Sequence, residues 1–262
     1  MKDSSTKMTR TQEIRAYFNQ LLRSHGEEGD IGFTSFKSVF DELMPIQQQR
    51  LQTIIGSQLD MLLNEGSMIS IGIAYHDPIM SCIDSKIAEQ SDYELWNKYA
   101  QEYHRINQLL NQVSKDIAEK FNGIPLKATI GGMANKVSHV KEYFGMVISH
   151  RVVAENSGIG WRGKNQLIIH EKYSCAIRFA TIIVPFPLMW GQKSESKCDS
   201  CSACEEVCSF IKNRDILPDY RENCRKYIEF LGSKGIEKDV CGKCIKACYK
   251  SSTFREVFSL PP

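Results

Sequence analysis

The sequence predicts a layered α+β fold over residues 1–190, followed by a small ferredoxin-like unit over residues 191–262. Three observations predict it. Helix-like and strand-like apolar patterns alternate through the first three quarters of the 262 residues. Eight of the ten cysteines fall between Cys198 and Cys248. Between the two regions stand Pro185, Pro187 and the polar stretch GQKSESK, residues 191–197. A front of this length can build its own core, whereas so short a tail leans on bound metal.

The elements follow in order. Ile14, Phe18, Leu21 and Leu22 recur at a helical period within Thr9–Ser24. Pro45 opens a helix over Ile46–Asn64, with Leu51, Ile54, Ile55, Leu59, Leu62 and Leu63 on one face and Gly66 beyond its end. Met68–Tyr75 is β-branched, short and bounded by Gly66 and Pro78, which predicts a buried strand. Asp92–Phe121 is the longest helical stretch, stopped by Asn122-Gly123. A strand is expected over Ile124–Ile130 and a helix over Met146–Asn156. Two further strands are expected over Gln166–His170 and Ile177–Phe186.

Charge and composition exclude several classes. Lys plus Arg is 33 and Asp plus Glu is 31, a net charge of +2, so a polyanion is not expected as the main partner. From Gly191 onward the balance is 13 − 11 = +2, which suits screening of thiolates. The opening MKDSSTKMTR is polar, and no run of 18 apolar residues occurs, so neither an export leader nor a membrane span is expected. A reducing cytoplasm is the expected compartment, where clustered thiols hold metal more often than they pair.

Cys198-x2-Cys201-x2-Cys204-x3-Cys208 has the spacing of a bacterial-type [4Fe–4S] motif, in which the fourth cysteine serves the other cluster. Cys224 and then Cys241-x2-Cys244-x3-Cys248 supply a second set. One cluster would take Cys198, Cys201, Cys204 and Cys248; the other would take Cys208, Cys224, Cys241 and Cys244. Each iron of a cubane needs one soft thiolate, and all eight are then used. Zinc favours paired CxxC motifs, and a disulfide knot suits an oxidising compartment, so both fit less well. The proline that often follows such motifs is replaced by Ser209 and Tyr249. Cys82 and Cys175 stand apart and are expected to be inert buried thiols.

Gly158, Gly160 and Gly163 match GxGxxG, but the expected helix precedes them and the expected strand follows. That is the reverse of a dinucleotide-binding turn. With Trp161, Arg162, Lys164 and Asn165 they form a loop that could bring a large polar cofactor close to the backbone.

HRVVAENSGIGWRGKNQL, residues 150–167, resembles the segment AEKAGLGWxGKNxL of the epoxyqueuosine reductases, cobalamin-dependent iron–sulfur enzymes of tRNA modification. Tyr99-Ala-Gln-Glu-Tyr-His-Arg is similar to their YA…DYH helix, Met68–Tyr75 to an early strand, and Arg221-Glu-Asn-Cys-Arg-Lys-Tyr-Ile to RRCISYL around an isolated cluster cysteine. The resemblance runs from about Ser67 to Cys248. It implies a nitroreductase-like domain holding cobalamin, joined to a double-cluster domain, a plan shared with reductive dehalogenases. Electrons from a low-potential ferredoxin or flavodoxin would pass through two clusters to cobalt, which would reduce a small-molecule or protein substrate. The resemblance points to His150, Gly158, Gly160, Trp161, Arg162, Gly163, Lys164 and Asn165 as cofactor-binding.

Two departures shape the expectation. The acid position of the family's VDTxPxxER stretch aligns with Phe144, and its Glu with His150; Glu142 is only nearby. Tyr103 is then the candidate proton donor, because a phenol can supply a proton where the carboxylate is lost. The helical repeats with which the family grips tRNA have no counterpart before Pro262, so tRNA is not expected as a partner. A flavin on the same scaffold, or an electron-transfer role serving a separate corrinoid protein, are the alternatives.

Overall fold

The structure is a computed structural model that describes residues 2–129, 137–217 and 219–251. In chain order come α1 (Lys2–His25), β1 (Gly29–Ser35), α2 (Phe36–Glu42), α3 (Pro45–Ile55), α4 (Leu59–Glu65), β2 (Ser67–Ala74) and α5 (Asp77–Cys82). A two-residue hairpin, β3 (Lys86–Ile87) and β4 (Gln90–Ser91), leads to the long α6 (Tyr93–Lys120) and β5 (Ile124–Leu126). Then follow α7 (Val140–Met146), α8 (His150–Asn156), β6 (Trp161–Arg162), β7 (Ile168–Ile169) and β8 (Ile177–Val184). The tail holds α9 (Ala203–Glu206), α10 (Ser209–Lys212), α11 (Tyr220–Ser233) and α12 (Lys243–Lys250).

Four strands form one antiparallel sheet in the order β1-β2-β8-β5. Ile69 of β2 lies opposite Phe33 on one side and Ile182 on the other, and Leu126 of β5 faces Thr181. The period-2 alternation of side chains explains why β2 is buried along its whole length. Ile69, Ile71 and Ile73, with Ala180, Ile182 and Val184, face α1 and α6. Met68 and Ile183 face the opposite layer, built from Phe36, Val39, Leu51, Leu62, Val152 and Val153. The fold is therefore a mixed helix and sheet sandwich, as the alternating patterns predict.

α6 is the longest element because its sequence repeats an apolar residue every three or four positions: Trp96, Tyr99, Tyr103, Ile106, Leu110, Val113 and Ile117 are all buried. Asp92 caps it by accepting from the Leu95 N–H at 2.9 Å.

Two expectations change, and one strand had none. The single helix expected over Ile46–Asn64 is two, α3 and α4, divided at Gly56, whose φ of 58° leaves the helical region. The helix expected over Met146–Asn156 starts only at His150; Val147 is extended, and a separate α7 ends at Met146. β1 carries no strand signal in GDIGFTS, because glycine interrupts its alternation. Gly29 stands there since a Cβ would meet the Gly72 carbonyl of the neighbouring strand. The predicted strand over Ile124–Ile130 is β5, and Ile130 itself lies outside the described residues.

The tail packs onto the front. Leu231, Ile236 and Val240 belong to the same apolar cluster as α6 and the sheet. The Trp96 indole N–H donates to the Cys241 carbonyl at 2.9 Å, and Tyr249 donates to Asp77 Oδ1 at 2.8 Å. Upstream, the Ser67 hydroxyl accepts from the Leu188 N–H at 3.0 Å, and Gly191 N–H donates to the Phe33 carbonyl at 2.9 Å.

Candidate functional site

The eight tail cysteines sit on short helices and the turns before them, and their mutual influence sorts them. Burial, then Cys248, Glu205, Cys198 and Cys201, push the Cys204 thiol up to about 12. Burial and then Cys208 push Cys224 up to about 11. Burial raises Cys241 to about 12 despite the Lys243 N–H, with Cys224 and Cys208 adding to it. Burial, then Cys241, Cys224, Cys208 and Cys204, hold Cys244 well above the ordinary range. The tail thiols thus stand close enough to influence one another, Cys204 with Cys198, Cys201 and Cys248, and Cys224 and Cys241 with Cys208, while Cys244 feels Cys204 as well as Cys241, Cys224 and Cys208. All eight are free thiols, and among the described residues no three ligands stand as a finished metal site. The donor set nevertheless fits a pair of iron–sulfur clusters: eight soft sulfur donors, whose protons a bound cation would expel.

The turn carrying the first group is held from outside. Lys164 Nζ donates to the carbonyls of Asp199 and Cys201, both at 2.9 Å, and Arg214 Nη1 donates to the Lys164 carbonyl at 2.6 Å. The Ser174 hydroxyl donates to Cys248 Sγ at 3.2 Å, and Ser251 Oγ lies 3.5 Å from Cys201 Sγ.

The glycine loop meets its own chain. Gly158 has φ +73°, and a Cβ there would lie 2.7 Å from the Gln192 carbonyl. At Gly160 a Cβ would strike the Ile169 carbonyl, and at Gly163 it would lie 2.8 Å from the Ile169 side chain. Trp161 is 2% exposed and packs with Ile169 and Cys175. Arg162 pairs with Glu155, and Asn165 is buried. These residues, expected to hold a cofactor, fold the loop against β7 and the tail instead.

His150 is 8% exposed. Its Nδ1 lies 2.9 Å from Thr181 Oγ1 and its Nε2 2.9 Å from the Lys127 carbonyl. That carbonyl can only accept, so Nε2 carries the proton and Nδ1 accepts from the hydroxyl. Burial lowers its pKa to about 4, so the ring is neutral near pH 7. As folded, His150 offers no nitrogen to a cobalt, and the set at 150 and 158–165 does not fit a corrinoid.

A polar centre of which the sequence reading named only Tyr103 lies beside α6. Tyr103 donates its phenolic proton to the Thr129 carbonyl at 2.8 Å. The same carbonyl accepts from Asn107 Nδ2 at 3.2 Å and Arg178 Nη2 at 3.3 Å. Arg178 Nε donates to Asn107 Oδ1 at 3.2 Å, and its guanidinium lies 4.3 Å from the Tyr103 ring centroid. No carboxylate pairs with Arg178 among the described residues. Tyr143 is hydrogen-bonded to Thr129, and burial pushes it up to about 12. Phe144, at the family's acid position, lies under the Arg221 guanidinium, and Glu142 is turned to Ser138. A lone Arg inside the apolar run IRFATIIV was the signal that could have found this centre.

An epoxyqueuosine reductase of Bacillus anthracis is 28% identical over 191 residues, covering 68% of this chain and 47% of that protein. This chain is similar to epoxyqueuosine reductases over about two thirds of its length. The enzyme of Escherichia coli (strain K12) is 31% identical over 84 residues, 32% of this chain and 21% of its own. Among solved structures, the epoxyqueuosine reductase from Streptococcus thermophilus shares 19% identity at a TM-score of 0.45, covering 81% of this chain and 56% of that one. An epoxyqueuosine reductase bound to an epoxyqueuosine-modified tRNA-Tyr stem loop gives 20% and 0.43, covering 77% and 53%. No family model matches. The chain spans about half the length of the Bacillus anthracis relative.

One expectation is corrected by these findings. A relative is solved with a tRNA stem loop, so the exclusion of tRNA as a partner does not stand. Among the described residues no helix is long and apolar enough to cross a membrane.

Proposed function

We propose that this chain is an iron–sulfur reductase in which residues 191–262 carry two [4Fe–4S] clusters and residues 1–190 hold the reductive site. The observation that carries the reading is the sequence spacing of eight free tail thiols, Cys198-x2-Cys201-x2-Cys204-x3-Cys208, Cys224 and Cys241-x2-Cys244-x3-Cys248. When bound, the clusters supply single electrons at low potential. Cys198, Cys201, Cys204 and Cys248 hold one; Cys208, Cys224, Cys241 and Cys244 hold the other. Lys164 fixes the first loop through the carbonyls of Asp199 and Cys201. Tyr103 holds a proton on its phenolic oxygen, and Asn107 and Arg178 keep that oxygen's acceptor, the Thr129 carbonyl, in place. A low-potential ferredoxin or flavodoxin of the cytoplasm is the donor this chemistry asks for. The reduced substrate is a small molecule, a protein or a modified tRNA.

Cobalamin is the electron acceptor that the family resemblance implies, and His150 with residues 158–165 does not fit it as folded. That mismatch favours a second reading, in which the chain relays electrons to a separate partner protein. Anaerobic analysis of iron, sulfide, cobalt and flavin per chain tests both. About eight irons are expected. Stoichiometric cobalt or flavin supports the reductase, their absence supports the relay, and far fewer than eight irons refutes both.

A further inference from the structure

The polar centre beside α6 holds more donors than acceptors. The Thr129 carbonyl receives three of them, from Tyr103 Oη at 2.8 Å, Asn107 Nδ2 at 3.2 Å and Arg178 Nη2 at 3.3 Å. A carbonyl oxygen has only two lone pairs, so at least one donor is poorly served. The neighbouring acceptor, Asn107 Oδ1, is taken by Arg178 Nε at 3.2 Å. Arg178 Nη1 has no hydrogen-bond partner among the described residues. The pleat of β8 explains how an arginine comes to stand here. It turns Arg178 to the same face as Ala180 and Ile182, which pack against α6.

The charge is unanswered as well. No carboxylate pairs with Arg178 among the described residues, and residues 130–136, which follow Thr129 in the chain, contain no acid. A cation drawn partly out of water without a counter-charge is costly, so such a centre gains from an anion. Tyr103 and Asn107 are buried whereas Arg178 is partly exposed, so the guanidinium is the accessible member. Its Nε side is spent on Asn107 and Thr129; the Nη1–Nη2 edge keeps parallel N–H groups, the fork that matches an oxyanion. The Tyr103 ring, whose centroid lies 4.3 Å from the guanidinium, and Asn107 hold that fork in place.

We propose that Arg178 binds an anionic oxygen group, carboxylate or phosphate, on the substrate of the reductive site. The inference rests on residues 1–190 holding that site, and it narrows the substrate to molecules that carry an oxyanion. Arg178 anchors the substrate beside Tyr103 and exchanges neither electrons nor protons.

The test is calorimetric titration of the anaerobically reconstituted full chain, its iron counted beforehand, with sodium benzoate and separately with sodium phosphate, ionic strength being held with sodium chloride. Wild type should bind at least one of the two anions saturably at a single site. Saturation by benzoate assigns a carboxylate, and saturation by phosphate assigns a phosphoryl group. Arg178→Gln should weaken that binding about tenfold or more, because a charge-assisted pair is lost. Arg15→Gln, which removes an exposed cation elsewhere that pairs with Asp30, should leave it unchanged. No saturable binding by wild type, or equal affinity in Arg178→Gln, overturns the proposal. Should Arg178→Gln fail to fold, Arg178→Lys keeps the charge but not the fork, and affinity equal to wild type in that variant overturns the proposal too. Protein that holds about eight irons yet binds neither anion sinks this inference alone. Far fewer irons overturns the reading on which it rests and the inference with it.

Discussion

His150 shows how burial decides what a side chain can do. Its ordinary pKa of 6.5 falls to about 4 because the surrounding layers disfavour the charged ring. The folded pKa lies below the unfolded one, so the protonated unfolded chain gains as pH drops. Stability is complete above about pH 6.5 and is lost from there down towards 4. Urea unfolding at pH 7.5 and pH 4.5 should show wild type losing roughly 2–3 kcal/mol more than His150→Gln. Equal losses would place the ring in a solvated setting. The sequence showed a histidine at the family's Glu position but nothing of Thr181 or the Lys127 carbonyl. Those partners come from 31 and 23 residues away.

Elements with a strong period were legible from sequence. α6, β2 and β8 follow from their apolar spacing and end within two or so residues of expectation. The cysteine spacing was equally plain, because the residues of each motif are local. Breaks were harder to read: Gly56 splits one expected helix, and extended Val147 shortens another. The glycine loop leaves its reading open for a different reason. Three glycines in a row of donors mark a close approach, but spacing alone does not say whether a cofactor or the chain's own backbone approaches. Here it is Ile169 and Gln192. Gly160→Ala should therefore disrupt the β6–β7 pairing and cost about 2 kcal/mol or more, read by chemical denaturation. A neutral substitution there would mean the loop has room for a ligand after all.

At the scale of the molecule, the sheet is covered on both faces and the tail joins the larger apolar cluster through Leu231, Ile236 and Val240. Front and tail were read as residues 1–190 and 191–262 from composition, and the polar stretch between them is present. Composition carries no information on whether two regions share a core, since that depends on contacts distant in sequence. Such a shared core couples the two in unfolding. Heating should give one cooperative transition with or without metal. Iron removal by an anaerobic chelator should lower its midpoint by several degrees, because ligands that bind only the folded chain stabilise it. Two separate transitions in calorimetry, with only the first sensitive to iron, would contradict that coupling.

The grip of Lys164 on the carbonyls of residues 199 and 201 sets an order of events during maturation. On the two-cluster reading, the loop that would wrap inorganic sulfide and iron is shaped by a lysine from the front, so loading of the first cube would depend on a folded sandwich. Severing that lysine would then slow iron uptake in reconstitution while sparing the scaffold.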